Sequence, residues 1–155
     1  MFFTETQEQA KECMKMTKIN YSTTEEFNKD FKKLLKRYKS LEEDLALLKT
    51  RILEPFHIGV DSSDTNIIFI NPNAIKLIPG FENEQFKLYK ITKFVCKSIK
   101  NRGSQPGIRL IYAFYETESS IELIQLYFKA DSENMDYERA RKYMREIISN
   151  QKLEN

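Results

Sequence analysis

Cysteine is scarce in this 155-residue chain: Cys13 and Cys96 stand far apart and outside any C-x-x-C spacing. That argues against a disulfide framework and against a zinc site, so both are expected to be free thiols. A single histidine, His57, excludes a His-rich metal site. Any Ser/His/Asp or Cys/His triad would depend on that one residue, which sits beside Pro55 in an expected loop. Four Gly and four Pro exclude a collagen-like or low-complexity chain. No apolar run approaches the roughly 18 to 20 residues needed to span a bilayer. The opening MFFTETQEQAKE has neither the basic nor the apolar region of a signal peptide, so the expectation is a cytoplasmic protein with no membrane partner. No Gly-rich phosphate loop is present, and no cofactor or metal is expected.

What the chain does have is aromatic and charged. Eleven Phe and eight Tyr within a composition that is 41% hydrophobic supply a core for one domain of this length. The net charge of +2 hides an uneven distribution. Between Lys87 and Arg109 the residues Lys87, Lys90, Lys93, Lys97, Lys100, Arg102 and Arg109 meet no acid, a local charge of +7. Between Glu116 and Glu138, seven acids face only Lys129. Such segregation points to an anionic partner for the basic stretch, with nucleic acid the first candidate.

The periodicities predict an α+β fold. Lys18 to Ser22 reads as a short strand, Ser22, Thr23 and Thr24 then offer N-caps, and Thr23 with Glu26 has capping-box spacing. Phe27, Phe31, Leu34, Leu35 and Tyr38 then recur on one helical face that ends near Tyr38. Ser40 with Glu43 forms a second capping-box pattern before Leu41, Leu45, Leu48 and Ile52, giving an αα-hairpin. Residues 55–86 are rich in turn formers around one apolar stretch, Ile67 to Ile70, and are expected to form a long loop with at most one short strand. Leu88 to Ser98, Ile108 to Tyr115 and Ser120 to Lys129 predict an antiparallel meander, with a bulge between Thr92 and Lys93. Asp136 is placed to cap a last helix carrying Tyr137, Ala140, Arg141, Met144, Ile147 and Ile148 on one face. Residues 1–17 read as a polar extension of a domain covering 18–155.

If the last hairpin pairs symmetrically about its turn, Arg109 faces Tyr127, Ile111 faces Gln125 and Tyr115 faces Ile121. Arg109, Gln125, Tyr127 and Lys129 then look outward, while Ile108, Leu110, Tyr112 and Phe114 lie under the helices. Lys90 and Lys93 would converge with Arg109. Such a cluster suits RNA cleavage by the ribose 2′-OH, which needs proton removal, charge neutralisation and protonation of the 5′-oxygen. Lys90 or Lys93 would act as base, Arg109 as phosphate clamp, and Lys129 or Tyr127 as acid. Lys87, Lys97, Lys100 and Arg102 would bind the RNA backbone. The alternative for each cation is a solvated strand face or a rim salt bridge.

The order β-αα-βββ, the segments LYKITKFVCKS, GIRLIYAFYE and IELIQLYFKAD, and the helical stretch FNKDFKKLLKRYKSLEEDLALL together resemble RelE-type toxins of bacterial toxin-antitoxin modules. The resemblance covers about Lys18 to Arg145. It implies an endoribonuclease that cuts mRNA, commonly on the ribosome, without a metal, and is neutralised by a cognate antitoxin protein. By the same resemblance Lys90 and Lys93 match the family's strand lysines, and Arg109 matches its arginine in a G-x-R-L-[IV]-Y pattern. The arginine that the family often carries after the last strand is missing: Lys129 is the nearest cation, followed by Ala130. Tyr137 matches a C-terminal functional tyrosine. The rival readings are a ParE-type toxin, which shares the scaffold but inhibits gyrase, and a decayed member that binds RNA without cutting it.

Overall fold

The computed structural model describes residues 18–59, 74–99 and 107–154. The expected extension 1–17 and the expected strand at Ile67 to Ile70 lie outside the described residues. The fold is α+β. Strand β1 (Asn20–Thr23) leads into α1 (Glu25–Arg37) and α2 (Leu41–Leu48). A π-helical turn, Lys49–Leu53, continues into α3 (Glu54–Ile58). Four strands follow, β2 (Ile75–Glu82), β3 (Lys87–Phe94), β4 (Ile108–Tyr115) and β5 (Ser120–Phe128), and then α4 (Tyr137–Glu154). No helix among the described residues is long and apolar enough to cross a membrane.

Local chemistry sets the boundaries. Of the three N-cap candidates Thr24 caps α1: its Oγ1 accepts from the Phe27 N–H at 3.1 Å. Glu25 and Glu26 in the first turn, with Lys36 and Arg37 in the last, match the helix dipole. Ser40 precedes α2 without the expected side-chain cap. Its hydroxyl donates to Asp44 Oδ2 at 2.7 Å and accepts from the Ser98 N–H at 2.8 Å. Asp44 also accepts from the Lys97 N–H at 3.1 Å, so a buried carboxylate ties the start of α2 to the chain leaving β3. Pro55 falls in the first turn of α3, directly after the π-helical turn, and a helix stands where a loop was expected.

The sheet is mixed, with order β1-β5-β4-β3-β2, and β1 pairs with β5 in parallel. Two differences from expectation follow. The N-terminal strand completes the sheet, so the sheet is not purely antiparallel. An edge strand, β2, stands in what was read as loop, disguised by Pro79 and by Gly80, whose φ is +86°. The bulge in β3 is present between Ile91 and Phe94. The β4–β5 register follows the expected pairing from Ile108↔Phe128 to Ile111↔Gln125. A shift after Ile111 then sets Phe114 against Ile121 and Tyr115 against Ser120 rather than Ile121.

Both faces of the sheet are covered. On one, Leu110, Tyr112, Ile91 and Leu126 pack with Phe27, Leu34, Leu41 and Leu48. On the other, Ile111, Ala113, Ile124 and Tyr127 pack with Met135, Ala140 and Tyr143 from α4 and the segment before it. Of the expected inner face of α4, Ala140 is buried, whereas Tyr137, Arg141 and Ile148 are exposed. Beyond Thr23 the short β1 leaves the edge of β5 open, and side chains close it. Asp30 Oδ2 accepts from the Leu126 N–H at 3.1 Å, and Arg139 Nη1 donates to Ile124 O at 3.2 Å. Arg139 also meets Asp30 at 2.6 Å and Glu26 at 2.9 Å, joining α4 to α1.

Candidate nucleic-acid interface

The register brings several of the expected site residues onto one sheet face. Arg109 stands directly opposite Tyr127, and Ile111, two residues along β4, stands opposite both Gln125 on β5 and Lys90 on β3. Lys90 is therefore diagonal to Arg109 on the same face. The row extends onto β2, where Lys76 pairs with Lys90. Lys76 escaped the sequence reading because β2 did; the alternation Ile75, Leu77 around it was the available signal.

This face is not open, as the sequence had suggested. Arg109 is 8% exposed, and Gln125 and Tyr127 are 7% exposed. The reason is α4 and the residues before it, which pack over Tyr127 through Met135. Gln125 Oε1 accepts from the Asp136 N–H at 2.9 Å, and Asp136 Oδ1 accepts from the Arg139 N–H at 3.1 Å, so Asp136 caps the helix as expected while Gln125 fixes where it starts. Arg109 Nη1 donates to Ile108 O at 3.3 Å. The Tyr127 hydroxyl is buried and finds no hydrogen-bond partner among the described residues. Burial raises its pKa above the ordinary phenol value, with Arg109 pulling in the opposite direction.

The remaining sequence candidates scatter. Lys129 is exposed in the turn after β5, its N–H donating to Gly107 O at 2.7 Å. Tyr137, exposed at the start of α4, lies 6.3 Å from the Phe81 ring. Lys87 pairs with Phe114, on the opposite face from Arg109, and Lys97 is exposed and 3.4 Å from Glu43. Lys100, Arg102 and the side chain of Lys93 lie outside the described residues. Cys96 is buried 3.6 Å from Ser40 Oγ, and burial pushes its thiol up, away from nucleophilic use. Among the described residues no group of three or more His, Cys, Asp or Glu is arranged to hold a metal ion.

A second constellation was missed. His57 is in α3 rather than a loop, and its Nε2 lies 2.7 Å from the Tyr112 hydroxyl. Its ring stacks on Phe114 at 4.0 Å and meets Phe56 and Tyr89 edge-on at 4.8 and 5.0 Å. Burial lowers its pKa to about 4. The signal was the pair Phe56 and Ile58 around it, which gives an apolar helical turn after Pro55.

Compared with known proteins, the chain matches no family model, no curated protein and no solved structure.

Proposed function

We propose that this chain is a RelE-like toxin, an endoribonuclease that cuts mRNA on the ribosome through the sheet face carrying Arg109. One observation carries the reading. Lys76 and Lys90 stand directly opposite each other on neighbouring strands, diagonal to Arg109, and neither lysine makes an ion pair among the described residues. Like charges in direct cross-strand register cost stability, and an anionic ligand would turn that cost into binding. The helical pair α1–α2 after β1, the meander of β3, β4 and β5, and the G-x-R-L-I-Y sequence of Gly107 to Tyr112 add to it.

In this reading the 2′-OH of a bound nucleotide attacks its own 3′-phosphorus while the P–O5′ bond breaks. The products are a 2′,3′-cyclic phosphate and a 5′-hydroxyl. Lys90, in its neutral amine form at this step, receives the 2′-OH proton, Arg109 stabilises the charge on the phosphorane, and Tyr127 or Lys129 protonates the 5′-oxygen. Tyr127 carries its phenolic proton at neutral pH, as an acid must and as an ordinary tyrosine does, and burial raises its pKa further. A cognate antitoxin would act by covering this face.

The second reading, a non-cleaving toxin of the ParE type or an RNA-binding relative, is favoured by the burial of Arg109, since a phosphate clamp must reach its phosphate. Purified protein incubated with translating ribosomes and with naked RNA separates them. Cleavage products ending in a cyclic phosphate, lost in Lys90→Gln, support the nuclease. RNA binding without new ends, or no binding, overturns it.

A further inference from the structure

On the far side of the molecule from Arg109, a cleft of about 320 Å³ opens between α3, the β2–β3 turn and the β4–β5 turn. Its lining includes Phe56, His57, Tyr89 and Phe114, with Glu84 and Glu116 at the rim. The volume sits at the lower end of ligand pockets, about 300 Å³, room for one side chain or a small molecule. The Phe56 and Tyr89 rings stand 6.1 Å apart at 80° to each other, two walls at right angles. Phe56 is 39% exposed, an aromatic that the fold leaves uncovered.

We infer that this cleft binds the cationic side chain, arginine or lysine, of a partner protein. Perpendicular aromatic walls present negative ring faces to a cation, and Glu84 and Glu116 outnumber Lys87, the one lysine in the lining. Glu82 adds to the negative field, since both Glu116 and Glu82 act on the Tyr89 phenol. The same field repels a phosphate backbone, which separates this cleft from the Lys90 and Arg109 face. His57 completes the cage as a neutral ring: burial keeps it uncharged at pH 7, so it offers a face rather than a repelling charge. The inference does not depend on the proposed nuclease.

Titration of the full chain with a blocked Gly-Arg-Gly peptide, followed by NMR of the aromatic rings, tests this. The Phe56, Tyr89 and Phe114 signals should move saturably, and the matched Gly-Gln-Gly peptide should leave them unmoved. Affinity should fall about tenfold or more in Glu84→Gln/Glu116→Gln, whose exposed positions leave the fold intact. Phe56→Ala, also at an exposed position, should weaken binding similarly. Equal binding of the glutamine peptide, tighter binding of AMP at the same rings, or no saturable shift with arginine would each overturn the proposal.

Discussion

His57 Nε2 and the Tyr112 hydroxyl meet at 2.7 Å, joining the last turn before the undescribed segment to the centre of the sheet. Because burial holds His57 at about 4 in the folded chain, against an ordinary value near 6.5, the folded state prefers the neutral ring. Its contribution is fully present above pH 6.5 and is lost as pH falls from there towards 4. After allowance for partial exposure the loss is about 2 kcal/mol. Urea unfolding at pH 7.5 and pH 4.5 should show a smaller drop for His57→Phe than for the wild type. Equal drops would remove His57 as the source.

Tyr112→Phe leaves the volume of the core intact but strands His57 Nε2. The expected cost is about 1 to 2 kcal/mol at pH 7.5, measured by chemical denaturation. A neutral effect would mean that water replaces the phenol without loss.

Asp30 serves two partners at once, the Leu126 N–H at 3.1 Å and Arg139 at 2.6 Å. Asp30→Ala should therefore cost more than an ordinary surface substitution, about 2 to 3 kcal/mol, since it leaves an edge N–H unmet and takes from the part-buried Arg139 guanidinium one of its two close carboxylates, Glu26 remaining. Hydrogen exchange at Leu126 should rise with it. Loss of stability without faster exchange at Leu126 would contradict the edge-closing role.

Gly107 precedes β4 where any Cβ would overlap the Phe128 ring. Phe128 is buried and packed against Tyr38 at 5.7 Å, so it has little room to yield. Gly107→Ala is expected to destabilise by about 1 to 3 kcal/mol through overpacking, measured as a shift in denaturation midpoint. Phe128→Leu should restore part of that loss; if the double variant is no better than the single, the ring is not the obstacle.

What the sequence made legible follows from which interactions are local. The Phe27, Phe31, Leu34 stripe marks a helix because 3.6-residue periodicity is written within the segment, and Ile108–Tyr115 was delimited correctly because its apolar run is broken only by Arg109 and ends at the acidic turn beginning at Glu116. Arg109 and Tyr127 were rightly paired, although the register beside the turn was one residue off, because the irregularity after Ile111 shifts the pairing back into the expected register. Their exposure was misjudged because the position of α4 depends on contacts such as Gln125 with Asp136 that no local pattern encodes. The near-continuous runs IRLIYAF and ELIQLYF carried the hint, for a strand apolar on both phases is covered on both faces. Lys76 and the His57 cage were illegible for a similar reason: Pro79, Gly80 and Pro55 look like loop residues until an edge strand and a helix start accommodate them.

Burial also changes what removing Arg109 should do. Arg109→Gln keeps a polar donor at the site and is expected to cost about 1 to 3 kcal/mol of stability, while lowering cleavage about 100- to 1000-fold if the guanidinium stabilises the phosphorane. The decisive measurement is tightly induced expression of wild type, Arg109→Gln and Lys90→Gln in a bacterial host, with new mRNA 5′ ends mapped while growth and soluble protein are followed. The account predicts growth arrest with cuts inside translated regions for the wild type, and their disappearance in both variants at equal soluble level. Arrest with intact mRNA, or cuts that persist in soluble Arg109→Gln, would contradict it.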